Sequence, residues 1–153
     1  HLIFPVSILR TRNKMLEARL GGGRVRFEQV DEDTVAVRFD GVCVPELRDG
    51  PHGVHVHDKG ASNGCDAAGG HYGAGDHGPS PREGHMGDFG NVTARDGCLV
   101  GQYLARGVRA QDLAGRAVVV HARADDLGRG GTDESRRTGS AGARLACGTL
   151  EHV

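Results

Sequence analysis

The sequence predicts an all-β protein, an antiparallel Greek-key barrel or sandwich folded as one domain. Three observations carry this reading. A chain of 153 residues suits a single core. Its 26 glycines, with little sustained helical periodicity, imply many turns between short strands. Two segments also alternate with a period of two. Thr34-Val-Ala-Val-Arg-Phe39 places Val35, Val37 and Phe39 on one face, and Arg24-Val-Arg-Phe-Glu28 does the same with Val25 and Phe27.

In chain order the expected strands number eight. Segments 16–20 and 24–28 flank the short turn Gly21-Gly-Gly23, and the alternating 34–39 follows. Segment 42–44 is a brief apolar candidate. Segment 54–57 interleaves Val54 and Val56 with His55 and His57, so the imidazoles share one face and the valines the other. Segments 99–106, 117–121 and 144–150 complete the set. Residues 60–90 are different in kind: Gly, Pro, Ser and Asp dominate, little apolar surface is available to bury, and a loop that long is normally functional or disordered.

That loop and the strand before it carry the chemistry. From His55 to Asp88, five histidines fall within 34 residues closed by that aspartate, and His121 answers from downstream. Imidazole and carboxylate at these spacings read as metal ligands. His71, His77, His85 and Asp88 supply three nitrogens and a carboxylate oxygen, a closed tetrahedral set suited to structural zinc and able to order the loop. His121 alone, after Ala-Val-Val-Val, would read as a core histidine, and His1 and His152 are terminal and solvated. With 19 basic against 20 acidic side chains, nucleic-acid binding has no support. The cysteines at 43, 65, 98 and 147 contain no Cys-x-x-Cys pair. The apolar piece near the start is too short and wrongly flanked for a membrane span, and no signal peptide is recognisable.

Four stretches resemble the copper/zinc superoxide dismutase family of eukaryotic type: Gly53-Val-His-Val-His-Asp58, Ala68-Gly-Gly-His-Tyr72, Gly84-His-Met-Gly-Asp-Phe-Gly-Asn-Val92, and Gly115-Arg-Ala-Val-Val-Val-His121 running on to Arg144-Leu-Ala-Cys-Gly148. The intervening Asp125-Asp126-Leu-Gly-Arg-Gly-Gly131 is similar as well, and together they span roughly residues 21–148. The resemblance implies an eight-stranded barrel with long metal-binding and electrostatic loops outside it. It implies copper on His55, His57, His71 and His121, and zinc on His71, His77, His85 and Asp88, with His71 bridging the ions as imidazolate. Superoxide would be converted to dioxygen and hydrogen peroxide as copper alternates between oxidation states, His71 taking up a proton when copper leaves it.

The same resemblance assigns further roles. Asp125 would accept hydrogen bonds from His55 and His77, and Arg144 would stand beside the open copper position and hold the superoxide charge, making Arg144 and His71 the catalytic pair. Asp133, Glu134 and Arg137 would shape the field over the channel, with Arg137 in place of the family's lysine. Cys65 and Cys147 would form the disulfide, leaving Cys43 and Cys98 free and packed. His52 matches a structural histidine. A homodimer, a copper chaperone for loading and a cytoplasmic location follow from the resemblance, with secretion the alternative if a signal peptide preceded His1.

Departures gather at the ends. Residues 1–14 have no family counterpart and are expected to be an extension or extra strand before a 15–153 dismutase domain. Val44-Pro-Glu-Leu-Arg48 looks inserted, and the charged ending Thr149-Leu-Glu-His-Val153 replaces an apolar tail that packs across the dimer in eukaryotic-type relatives. The Asn91-Val-Thr93 sequon is an N-glycosylation acceptor by pattern alone. The competing readings are a chaperone-like domain, which would need a Cys-x-Cys segment absent here, and an inactive relative, which would lack a copper ligand or Arg144.

Overall fold

The computed structural model describes residues 15–153, so the expectation for residues 1–14 lies outside the described residues. Among the described residues, ten strands form two five-stranded antiparallel sheets. The first sheet contains β1 (Met15–Leu20), β2 (Gly23–Asp31), β3 (Thr34–Asp40), β7 (Gln102–Arg106) and β10 (Glu151–His152), in the order β10-β1-β2-β3-β7. The second contains β4 (Gly50–His57), β5 (Asp88–Arg95), β6 (Cys98–Val100), β8 (Ala117–His121) and β9 (Arg144–Thr149), in the order β6-β5-β4-β8-β9. Among the described residues one short α-helix, α1 (Asp133–Thr138), lies between β8 and β9, and single 3-10 turns stand at Asp66–Ala68 and Ala110–Asp112.

Ten segments arise where eight strands were expected because two runs change sheets. The expected strand 99–106 breaks at Gly101, whose φ of 100° an L-residue avoids. Its first part pairs with β5 and its second with β3. The expected strand 144–150 likewise ends on β8 as β9, and the chain resumes beyond Leu150 against β1 as β10. Counted as continuous runs there are still eight, but with a different membership. Segment 42–44 contributes only an isolated bridge from Cys43 to Cys98, whereas β5 had no counterpart among the expected strands.

The core between the sheets follows from alternation. Leu16, Val25, Phe27, Val35 and Val37 from the first sheet meet Val54, Val56, Val118 and Val120 from the second, all fully buried. Because Val54 and Val56 turn inward, His55 and His57 project from the outer face of the second sheet.

The cysteines correct one expectation. Cys65 and Cys147 are bonded, with an S–S distance of 2.04 Å, but Cys43 and Cys98 are bonded as well and no cysteine is free. The pairing is long-range: Val44 N–H donates to Gly97 O and Leu99 N–H to Val42 O, which lays segment 42–44 against β6 and sets the two cysteines opposite each other. The bond spans 55 residues, for which chain-entropy reasoning gives a stabilisation of about 4 kcal/mol. The Cys43→Ser/Cys98→Ser double variant is therefore expected to lose roughly that much stability in denaturant titrations of the metal-free protein; an unchanged midpoint would refute this.

Candidate metal centre

Sheet register gathers the ligands. His55 lies opposite Val119 on one side and Asp88 on the other, His57 opposite Ala117, and His121 ends β8 opposite Arg144 after a register shift. The long loop returns as a bridge between His57 and His71, fixed by Tyr72 N–H to Val56 O at 2.9 Å and Asp58 N–H to Gly70 O at 2.8 Å. All of the rings are buried or nearly so on the outer face of the second sheet, roofed by loops 58–87 and 122–143.

Each ring but one spends a nitrogen on a protein oxygen outside the cluster of prospective ligands. His55 Nε2 reaches Asp125 Oδ2 at 2.6 Å, and His77 Nε2 reaches both oxygens of the same carboxylate at 2.8 Å. His57 Nδ1 bonds Gly69 O at 2.8 Å, His121 Nδ1 bonds Gly142 O at 3.0 Å, and His85 Nε2 bonds Gly75 O at 2.6 Å. Carbonyls and carboxylates only accept, so the nitrogens facing them carry the protons, and on His55, His57 and His121 the opposite nitrogens are bare lone pairs, whereas both nitrogens of His77 face carboxylates, Nδ1 standing 2.9 Å from Asp88 Oδ1. Those lone pairs converge. His57 Nε2 and His121 Nε2 sit 3.4 Å apart with no proton for either to offer, and His55 Nδ1 is buried without a partner. Such an arrangement is costly unless a cation fills it. His71 is the exception: its Nδ1 faces only His77 and Asp88, themselves members of the cluster, and it has no partner outside it.

Two overlapping quartets result. His55, His57, His71 and His121 offer ligand atoms within 4.8 Å of one another, as do His55, His71, His77 and Asp88. His55 belongs to the second only by proximity, since its Nε2 is committed to Asp125. His85 is the better fourth member, with Nδ1 3.4 Å from Asp88 Oδ1. In that set His71 Nδ1 lies 3.2 Å from His77 Nδ1 and 3.1 Å from Asp88 Oδ1, and His77 Nδ1 lies 2.9 Å from Asp88 Oδ1. Ligands about 2.0 Å from a tetrahedral zinc ion stand about 3.3 Å apart, so the donor set fits that ion. Asp88 Oδ2 meanwhile accepts from the Gly78 and His85 N–H groups, which aims the carboxylate.

Electrostatics favour neutral rings on the first quartet. Burial lowers the His121 pKa to about 4 and that of His57 to about 3, with the Arg144 charge adding to both, and it pushes His55 and His71 below their usual value too. Burial also opposes charge on His77, but its hydrogen bonds to Asp125 and Asp88 prevail and raise it to about 9. For the metal-free chain the signs follow. Rings with lowered pKa contribute stability that is full above the unfolded value of 6.5 and is lost as pH falls through the folded values, whereas the His77 contribution is present below 6.5 and lost near 9. Four rings outweigh one, so stability of the metal-free protein is expected to drop between pH 6.5 and about 4 in denaturant titrations. A flat profile there would contradict the neutral-ring assignment.

The expected charged loop folds as α1. Thr132 Oγ1 caps it by accepting from Ser135 N–H at 3.0 Å, and Gly139 closes it in the left-handed conformation. Gly139 is also required by space, because a Cβ there would fall on the Asp125 carboxylate and the His77 ring. Gly53 clears the other side of Asp125, where a Cβ would stand 3.2 Å from the Asp125 Cβ and 2.8 Å from that of Ala141. Neither glycine was singled out from the sequence. Glu134, Arg137 and Arg144 border a cavity of about 470 Å³ that reaches His57, His71 and His121. Arg144 Nη1 donates to Cys65 O at 2.7 Å, so the Cys65–Cys147 bridge and the guanidinium share a mount. Asp133 lies apart from the cavity lining and pairs with Arg136. His52 is buried but offers no ring nitrogen to the centre, since both nitrogens are bonded to main-chain oxygens, of His121 and Arg48.

Comparison with known proteins agrees with this geometry. The family described as "Copper/zinc superoxide dismutase (SODC)" matches residues 22–150. Superoxide dismutase [Cu-Zn] A of Xenopus laevis is 44% identical over 137 residues, covering 84% of this chain and 87% of the relative. The extracellular superoxide dismutase [Cu-Zn] of Caenorhabditis elegans is 45% identical over 161 residues, covering 96% and 71%. Among solved structures, the clock protein EA4 superposes with a TM-score of 0.79 at 34% identity, covering 94% of this chain and 97% of that one. Fold, the two overlapping ligand quartets and sequence agree, and the chain belongs to the copper/zinc superoxide dismutase family.

Proposed function

We propose that the chain is a superoxide dismutase, with copper held by His55, His57, His71 and His121 and zinc by His71, His77, His85 and Asp88. Two superoxide anions and two protons give dioxygen and hydrogen peroxide. When bound, copper supplies the one-electron couple for both half-reactions, and zinc supplies fixed positive charge without redox chemistry. The observation that carries the reading is the division of ring nitrogens: five histidines each tie one nitrogen to a protein oxygen outside the two ligand sets, whereas His71 ties neither there, its Nδ1 facing only His77 and Asp88 of the zinc set.

The residues then have separable tasks. Asp125 holds the His55 and His77 rings at fixed orientation across the two sets. His71 Nδ1 faces His77 and Asp88, so Nε2 is the atom that holds a proton whenever it is not a ligand and delivers it to departing peroxide. Arg144 draws the anion into the cavity, with Arg137 adding positive field and Glu134 limiting its spread, while Asp133 acts from outside the lining, paired with Arg136. Arg144→Ala is expected to lower kcat/KM about tenfold and flatten its ionic-strength dependence while metal content stays the same. An unaltered salt dependence would remove the steering role.

Metal content by elemental analysis, measured beside superoxide turnover on one sample, tests the reading as a whole. Full turnover without copper would overturn it. A homodimer and a copper-donating chaperone complete the proposal. Val30, Val100, Leu104 and Val153, the large apolar side chains that stand well exposed among the described residues, lie on separate segments, so the dimer contact would be mostly polar; sedimentation velocity checks it. For location, the pairing of all four cysteines favours the secreted alternative over the cytoplasm. Cell fractionation decides between them.

A further inference from the structure

The Asn91-Val-Thr93 sequon has a second occupation in the folded chain. Asn91 stands on β5 directly opposite Gly53, and its side-chain amide forks onto the main chain of one residue: Asp125 N–H donates to Asn91 Oδ1 at 2.7 Å, and Asn91 Nδ2 donates to Asp125 O at 2.9 Å. Asp125 is the residue whose carboxylate holds both His55 and His77. Its backbone otherwise belongs to a loop, and Asn91 ties that loop to the sheet at the point where Gly53 makes room.

The chemistry of the fork makes it incompatible with a glycan. Both partner atoms belong to the same residue, so the donating N–H is the one on the same side of the amide as Oδ1. Attachment of a sugar converts the carboxamide into a secondary amide, which prefers the trans form, with the substituent opposite Cβ and therefore beside Oδ1. The sugar carbon then occupies the place of the donating hydrogen, and the surviving N–H points away from Asp125 O.

We propose that Asn91 is a positioning residue for the metal centre and that N-glycosylation at its own sequon abolishes this role, so that modification and a tightly held centre exclude each other. This rests on the zinc assignment above. It predicts that unglycosylated Asn91→Ser releases zinc to a chelator about tenfold faster than the parent, the scale seen when partners behind a metal ligand are lost. The downfield imidazole N–H resonances of His55 and His77, which report their bonds to Asp125, should shift or broaden in the same variant even without metal. Asn91→Asp keeps the acceptor and loses the donor, and serves if Asn91→Ser does not fold. Thr93→Ala destroys the sequon while leaving Asn91 and should match the parent. From a eukaryotic secretory host, the glycosylated fraction of the parent should behave as Asn91→Ser does. Parent-like zinc release and imidazole signals in both Asn91 variants would overturn the positioning role, and parent-like release from the glycosylated fraction would overturn the exclusion. If the parent itself binds no zinc, the zinc assignment fails instead, and the metal-free imidazole signals still decide the role of Asn91.

Discussion

His121→Ala is expected to cut superoxide turnover by roughly three orders of magnitude or more while zinc stays bound, because it removes one nitrogen from the redox ion and none from the structural one. The ring ends β8, and its bare Nε2 faces that of His57 at 3.4 Å. Its outer nitrogen touches only Gly142 O, so truncation leaves the Val118 and Val120 core contacts in place. Elemental analysis should find copper depleted and zinc retained, with circular dichroism unchanged. Turnover near the parent level would mean that three nitrogens suffice and that His121 is not a ligand.

Asp125→Asn should have the next largest effect, and on both ions together. Two imidazole N–H groups, His55 Nε2 on Oδ2 and His77 Nε2 on Oδ1, use both carboxylate oxygens. A carboxamide provides one oxygen and places an NH₂ group against the other ring, so that ring must flip its protonated nitrogen or lose its bond. Replacement of such a partner typically costs about 10–100-fold in metal affinity. Competition titrations with a chelator should show both copper and zinc weakened, zinc through His77 and copper through His55. Weakening of one ion alone would indicate that the carboxylate serves only one ring.

Much of this was legible in the sequence, for local reasons. The alternation of Val35, Val37 and Phe39 is visible over a few residues, and β3 forms where it points. Val54-His55-Val56-His57 announces both a core face and a ligand face. What was not legible depends on partners far along the chain. β5 was missed because Gly90 and Asn91 look like loop residues; the strand is held by pairing with β4, and Phe89, Val92 and Ala94 bury themselves only once that pairing exists. The Cys43–Cys98 bond depends on segment 42–44 lying against β6, which no spacing reveals. Histidine and aspartate declared themselves by type, whereas Gly53 and Gly139 matter through the position of Asp125, a carboxylate delivered from another loop.

The two runs that change sheets bear on how molecules meet one another. β6 continues into β7 and β9 leads on to β10, so at both seams the outermost strand of one sheet becomes the outermost strand of the other. Two of the four borders are thereby only 3 and 2 residues long, β6 and β10. A neighbouring chain seeking to extend a sheet by main-chain pairing finds little template on those borders, a recognised defence against aggregation. Self-association at these seams therefore has to be specified by side chains, which mutation can tune without disturbing the barrel.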